Sequence, residues 1–191
     1  MPQKFDTRKK YLLISDERHA ALKPDDLLRE FGLHAGDTIA DIGSGPGFFT
    51  LPAARIVGEK GHVFAADIQG EMLTAVKSRA TEAGLTNVRV VKTSETEIPL
   101  PPDSCDMALL AFVLHELGSH AIFLHRAARI LKPTGKLVVM EWEKHQTAFG
   151  PPLEDRITPD ELVADAEAAG LHVEERRQLD DDQYALVLMR T

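Results

Sequence analysis

The densest chemistry in the chain lies in Ile39-Ala40-Asp41-Ile42-Gly43-Ser44-Gly45-Pro46-Gly47-Phe48-Phe49. Glycines at 43, 45 and 47 allow a tight turn and let a ligand approach the main chain with no Cβ in the way. The N–H groups that open a following helix favour an anionic ligand group. Asp67 stands 20 residues beyond Gly47. A carboxylate only accepts, so it suits both hydroxyls of a ribose; it would also serve as a plain cap before Gln69-Gly70-Glu71. The spacing is G-x-G-x-G, with Phe48 in the place of the third glycine of a dinucleotide turn. Asp41, just upstream, would repel a pyrophosphate and attract an ammonium. These residues point to a nucleoside joined to an amino acid rather than to NAD.

A second group would meet a second ligand. His115 follows an apolar run in Ala111-Phe-Val-Leu-His115-Glu116. In doubly wound sheets ligands sit outside the carboxyl ends of the strands, so His115 is the candidate catalytic base, or else a hydrogen-bonded structural histidine. Trp142, in Glu141-Trp142-Glu143, is a candidate substrate wall or a core residue. Arg156 is a candidate partner for an anionic substrate group, or for a local acid such as Glu154 or Asp155. Cys105 reads as a small buried filler. Histidines 115, 120 and 125 are spaced five apart, which does not align them on one helical face, and no metal site is expected.

Positioning these groups requires strands that alternate with helices. Short apolar, β-rich runs lie at 38–42, 62–66, 88–91, 107–111 and 136–141, and helical periodicity at 48–57, 72–83 and 121–131. Pro24, followed by Asp25 and Asp26, opens a helix over 24–31. Pro133 blocks the helix that ends near Lys132. Thr158-Pro159-Asp160-Glu161 reads as an N-cap with proline and acids in the first turn, and that helix stops at Gly170. Two terminal strands, 171–176 and 184–189, flank a turn at Asp180-Asp181-Asp182. The pattern predicts a mostly parallel sheet covered on both faces, with an antiparallel terminal hairpin. The stretch 146–156, with Gly150, Pro151 and Pro152, is a loop long enough to be functional. Residues 1–22 are read as an N-terminal lid or edge segment and 23–191 as a single domain. Phe5, Tyr11, Leu12 and Arg18 lie in that first segment.

Composition narrows the partners. The chain has 191 residues, 43% hydrophobic and 27% charged, enough for one core without a disulfide or metal staple. With 22 basic and 30 acidic residues the net charge is −8, a field that repels phosphate backbones, so no nucleic-acid partner is expected. Arg8-Lys9-Lys10 is too short a basic cluster to reverse this. No apolar run reaches the length of a membrane span, so no membrane partner is expected. One cysteine and no apolar leader make a cytoplasmic setting the expectation.

The sequence resembles the class I S-adenosylmethionine-dependent methyltransferases, closest to the small ubiquinone/menaquinone-C-methyltransferase-like branch. The resemblance rests on Asp41-Ile-Gly-Ser-Gly-Pro-Gly47, Ala66-Asp67-Ile68, Asp103-Ser-Cys-Asp106 and Leu131-Lys-Pro-Thr-Gly135, in that order. It implies a doubly wound α/β fold with a seven-stranded sheet, order 3-2-1-4-5-7-6, strand 7 antiparallel. It implies S-adenosyl-L-methionine as cofactor, with Gly43, Ser44, Gly45 and Gly47 around its methionine part, Asp41 holding the amino group, Asp67 on the ribose, Ile68 on adenine and Ala111 nearby. Many members place an aspartate five residues before a proline after the third strand. Here Pro99 is preceded at that distance by Ser94, so Ser94 or the adjacent Glu95 is the candidate for the adenine amino group. The implied activity is methyl transfer to a small-molecule acceptor. The alternative is a regulatory protein that binds the cofactor without turnover. An Asp67 substitution is expected to weaken cofactor binding and hardly affect stability.

Overall fold

The computed structural model describes residues 6–147 and 149–191, without the side chains of 7–10. Phe5 and the side chains of the basic cluster Arg8-Lys9-Lys10 lie outside that description. Seven strands, β1 (Thr38–Ile42), β2 (His62–Asp67), β3 (Val88–Lys92), β4 (Cys105–Ala111), β5 (Leu131–Trp142), β6 (Leu171–Gln178) and β7 (Gln183–Arg190), form one sheet. Its order is β3-β2-β1-β4-β5-β7-β6. The first five strands pair in parallel, and β7 runs antiparallel to β5 and β6. This is the expected topology.

Alternation along the strands sends side chains to two cores. Ile39, Met107, Leu109, Val138, Met140 and Val187 pack beneath α2 (Pro24–Glu30) and α3 (Thr50–Val57). Ala40, Ala108, Leu110, Leu137, Val139 and Leu186 pack beneath α5 (His120–Ile130) and α6 (Pro159–Ala168). The central strands are apolar on both faces because helices cover both. The α4 helix (Gly70–Glu82) joins α3 through Val76, Leu51 and Ala65. A further helix, α1 (Asp16–Leu22), follows a 3-10 segment over Thr7–Ile14. Leu22 and Ile14 join the core under α2 and α3.

Several boundaries moved for local reasons. Phe48 and Phe49 belong to the turn, and α3 starts at Thr50, because the glycine turn continues through them. Lys132-Pro133-Thr134-Gly135 does not merely stop a helix. It lies inside β5, in a bulge between the pairs Cys105–Leu131 and Met107–Lys136. A proline lacks a ladder donor, and a bulge is where a strand tolerates one. Thr158 caps α6 through a reciprocal capping box with Glu161, as its sequence signature predicts.

The Asp103–Asp106 motif has a structural job at the end of the sheet opposite the candidate site. Asp106 Oδ2 accepts the backbone N–H of Thr38 at 2.8 Å, and the carboxylate accepts Lys132 Nζ at 2.7 and 2.8 Å. It thereby ties the starts of β1, β4 and β5. Asp106→Ala should therefore cost about 1–3 kcal/mol in a urea titration and leave S-adenosylhomocysteine affinity unchanged. A variant of wild-type stability would show that the motif does not hold the strand starts.

Candidate active site

The candidate site lies where β1, β2, β4 and β5 end. The turn after β1 is held by its own protein. Gly43 N–H and Ser44 N–H donate to Ala66 O at 2.7 and 3.0 Å, Gly45 N–H to Asp67 Oδ2 at 2.9 Å, and Gly47 N–H to Ser44 O at 3.0 Å. These are the donors a pyrophosphate would need, and each is already used. Gly43 and Gly47 have φ +74° and +92°. A Cβ there would lie 2.3 Å from Val113 Cγ2 and 2.6 Å from Val76 Cγ2. Backbone conformation and packing alone already require glycine at those two positions. At Gly45 the nearest atom to such a Cβ is Leu13 Cδ1, at 3.5 Å, in the N-terminal segment.

Two carboxylates stand at the floor. Asp41, 2% exposed, accepts the Thr50 hydroxyl at 2.5 Å. Burial, together with the negative charge of Asp67, raises its pKa to about 7 against the pull of Thr50 and Arg18. Asp67 is buried as well. Its pKa is raised by burial, against hydrogen bonds from Gln69 N–H at 2.7 Å and Gly45 N–H at 2.9 Å. Asp67 therefore ties the end of β2 to the glycine turn, which the cap reading foresaw only in part. Removing it would orphan two backbone donors, so the expectation of an unchanged stability does not hold.

The residues fit a nucleoside joined to an amino acid. A buried carboxylate raised toward neutrality gains from a cationic group brought beside it. The Asp67 oxygens retain lone pairs beyond the two bonds they accept. The Ser44 hydroxyl, buried in the turn, has no partner among the described residues. Ile68 follows directly on β2, half-buried, and its carbonyl accepts Lys92 Nζ. Ser94 and Glu95 are exposed in the turn after β3, where Ser94 Oγ accepts Thr96 N–H at 3.3 Å. Ala111 ends β4, and Phe112 follows with φ +61°, a conformation that costs a bulky side chain energy and marks functional sites.

On the α5 side of β5, His115 is 9% exposed and Glu141 1%. His115 Nδ1–H donates to Glu141 Oε2 at 2.9 Å, and its backbone N–H to Oε1 at 3.3 Å. Burial pulls the imidazole pKa down, but the charge and hydrogen bond of Glu141, with Glu116 and Asp155, leave it raised overall. Glu141 was legible only as the end of a strand; as the orienting partner of His115 it belongs to the site.

On the other side, Trp142 is half-buried, with its ring 5.7 Å from that of Phe112. The Arg156 guanidinium lies 5.4 Å over Trp142. Arg156 is itself buried, and its five N–H groups are taken. Nε donates to Pro151 O at 3.1 Å, Nη1 to Glu143 O and His145 O at 3.0 and 2.8 Å, and Nη2 to Thr147 Oγ1 and Phe149 O at 2.6 and 3.1 Å. The expectations of a substrate anion or a local acid as its partner both give way: Arg156 organises the loop. His115 and Arg156 lie against consecutive residues, Glu141 and Trp142, whose side chains leave β5 on opposite faces, so the two do not share one face of the sheet. Two open clefts lie elsewhere, one between the N-terminal segment, the glycine turn and α4, the other in the loop after β5. The first, of about 380 Å³, is lined by Tyr11, Ile14, Pro46, Glu71 and Arg79, and the other, of about 310 Å³, by His145, Thr147, Phe149, Gly150, Leu153 and Arg156. His115 and Trp142 line neither. Among the described residues no three His, Cys, Asp or Glu side chains gather as a metal site, and no helix is long and apolar enough to cross a membrane.

The strand order, the glycine turn and the two carboxylates define the class I S-adenosylmethionine-dependent methyltransferase architecture. The chain belongs to the ubiE/COQ5 methyltransferase family, whose model it matches over residues 3–150. It is 37% identical over 114 residues to the ubiquinone/menaquinone biosynthesis C-methyltransferase UbiE of Vibrio vulnificus, covering 59% of this chain and 44% of that protein. It is 36% identical over 119 residues to UbiE of Azotobacter vinelandii, covering 62% and 47%. The chain thus spans less than half the length of the curated relatives it matches. The crystal structure of a SAM dependent methyltransferase from Aquifex aeolicus is 34% identical, with a TM-score of 0.93, covering 98% of this chain and 100% of that one. The [4+2]-cyclase SpnF, 18% identical, shares the fold with a TM-score of 0.79. The fold alone therefore does not name a reaction.

The hydrogen-bond set of Arg156 leads to a direct test. Arg156→Ala should speed amide hydrogen exchange across the loop between Glu143 and Arg156 and lower stability by about 1–3 kcal/mol. Arg156→Lys should restore little, because an ammonium cannot reproduce the planar fork. Unchanged exchange in either variant would contradict the assignment.

Proposed function

We propose that this protein transfers the methyl group of S-adenosylmethionine to a small, planar, hydroxylated acceptor, with His115 as the general base. The observation that carries this reading is the buried His115–Glu141 pair, set at the same strand ends as the glycine turn.

When bound, S-adenosylmethionine supplies a methyl on a positively charged sulfur, which leaves as a neutral thioether once the acceptor's electron pair forms the new bond. Asp41 would hold the ammonium of the amino-acid end, Asp67 the ribose hydroxyls, and the wall of Ile68 the adenine. Ser94 or Glu95, at the end of β3, would reach the adenine amino group. Neutral His115, with Nδ1–H fixed on Glu141, keeps its lone pair on Nε2. Nε2 would take the acceptor's hydroxyl proton, and the electron pair left on the acceptor would attack the methyl from oxygen or from a conjugated ring carbon. Glu141 stabilises the imidazolium that results. Phe112 and Trp142 would flank the ring, and the loop tied by Arg156 would exclude water, so that alignment supplies much of the acceleration. The curated relatives are named for ubiquinone and menaquinone biosynthesis, which supports an aromatic acceptor of quinone type. A buried histidine oriented by a carboxylate favours turnover over a regulatory protein that only binds the cofactor.

A base must lose its proton to act, so turnover should rise with pH through an inflection above that of an ordinary histidine, since the His115 pKa is raised. Glu141→Gln should move the inflection to lower pH and slow turnover. His115→Ala should lower kcat by about 10²–10⁴-fold with cofactor affinity intact. The assay is S-adenosylhomocysteine release with a panel of hydroxylated aromatic and quinol acceptors. A pH-independent rate, together with a fully active His115→Ala variant, would remove His115 from the mechanism.

A further inference from the structure

The amino-acid end of the cofactor carries two opposite charges on one carbon, and Asp41 answers one of them. The answer to the other comes from the N-terminal segment. Ser15 caps α1, its Oγ accepting Arg18 N–H at 3.3 Å, so the Arg18 side chain leaves from the first turn. Its guanidinium carbon lies 4.5 Å from the Phe48 ring centroid and 5.5 Å from that of Phe112. Those rings belong to the residue after Gly47 and the residue after β4, so the charge stands over the ends of β1 and β4. Leu13, whose carbonyl accepts Arg18 Nη1–H at 2.8 Å, also covers Gly45. Arg18 feels the negative charge of Asp41, yet it forms no ion pair with a described residue. Burial brings its pKa down to about 10, against the pull of Asp41, and it remains charged at neutral pH.

We propose that Arg18 binds the α-carboxylate of S-adenosylmethionine, with Asp41 taking the α-ammonium of the same group from the floor of the cleft. This rests on the cleft being the cofactor site and adds a residue from outside the glycine turn and strand ends. The chemistry matches on each side. A guanidinium presents parallel N–H groups to a carboxylate, and it stacks on aromatic faces while doing so. Phe48 and Phe112 hold the group between them. An amine without a carboxylate would satisfy Asp41 and leave Arg18 unanswered, so the pair selects for an intact amino-acid end. It also gives the N-terminal segment its function: α1 closes over the glycine turn by carrying a ligand group, as a lid does.

The test is calorimetry with two ligands, S-adenosylmethionine and its decarboxylated form, which keeps the amine and sulfonium and lacks the carboxylate. Wild-type protein should bind the intact ligand at least about tenfold more tightly. Arg18→Gln should weaken the intact ligand by about that factor and leave the decarboxylated one within about threefold, with Arg18→Lys between. Equal weakening of both ligands would make Arg18 a structural residue of the segment. Tighter binding to Arg18→Gln would make the guanidinium a plug standing where the ligand's ammonium goes. No change would leave it without a role; each of these three overturns the proposal. If Arg18→Gln does not fold, the wild-type preference decides alone, and a ratio near one overturns the proposal. Failure of wild-type protein to bind either ligand would overturn the cofactor reading itself, a separate result.

Discussion

Two carboxylates buried side by side, Asp41 and Asp67, set the terms for the rest of this structure. They end or nearly end adjacent strands, and the protein gives Asp41 a hydroxyl and Asp67 two backbone donors, but among the described residues no cation in direct contact with Asp41. Burial drives the Asp41 pKa up to about 7. The sign of the consequence follows from linkage: the folded state holds a proton that the unfolded state releases near pH 4, so stability from this group falls as pH rises from about 4 to 7. A fold that keeps such a group is strained toward binding a cation. The glycine turn, whose N–H groups are engaged within the protein, leaves this negative floor as the dominant feature of the cleft.

Everything around the floor is placed by the sheet. Parallel strands β1, β2, β4 and β5 end together, so the connection after each strand contributes one part: the glycine turn, Ile68, Phe112 with His115, and Trp142 with its loop. Glu141 and Trp142 are consecutive, and their side chains leave β5 on opposite faces. One orients the base, and the other carries the aromatic ring that Arg156 covers. Phe48, Arg18, Phe112, Trp142 and Arg156 form one chain of ring–cation and ring–ring contacts. It links the N-terminal segment on one side to the long loop on the other, and so joins the cofactor half of the site to the acceptor half.

Much of this was legible in the residues. Glycine spacing, the acid 20 residues on and apolar runs alternating with helical periodicity gave the parallel core, and the resemblance to a known family supplied the order of the strands. What escaped has physical reasons. Arg18 was visible only as a residue of a lid or edge, because α1 is seven residues long, too short for a periodic signal. Its role depends on two rings from distant parts of the chain. Phe112 looks like the end of an apolar strand, and nothing in its type announces a positive φ. Arg156 was read as the partner of a substrate anion or of a local acid because charge suggests a charged partner, yet its partners are mostly carbonyls, which leave no mark in the sequence. The cap reading of Asp67 covered its bond from Gln69, but the bond from Gly45, 22 residues away, leaves no local mark and was missed.

The central claim is that Asp41 is a partly protonated acid waiting for a cation, and proton counting tests it most directly. S-adenosylhomocysteine binding should be measured by calorimetry at pH 7 in buffers of different ionisation enthalpy. With a pKa of about 7 in the free protein, Asp41 is about half protonated there, and the ligand's ammonium should expel that proton. The account predicts release of roughly half a proton per ligand bound, declining toward zero at pH 9 and lost in Asp41→Asn, which should also bind more weakly. Tight binding at pH 7 with no proton released, or the same release from Asp41→Asn, would contradict it.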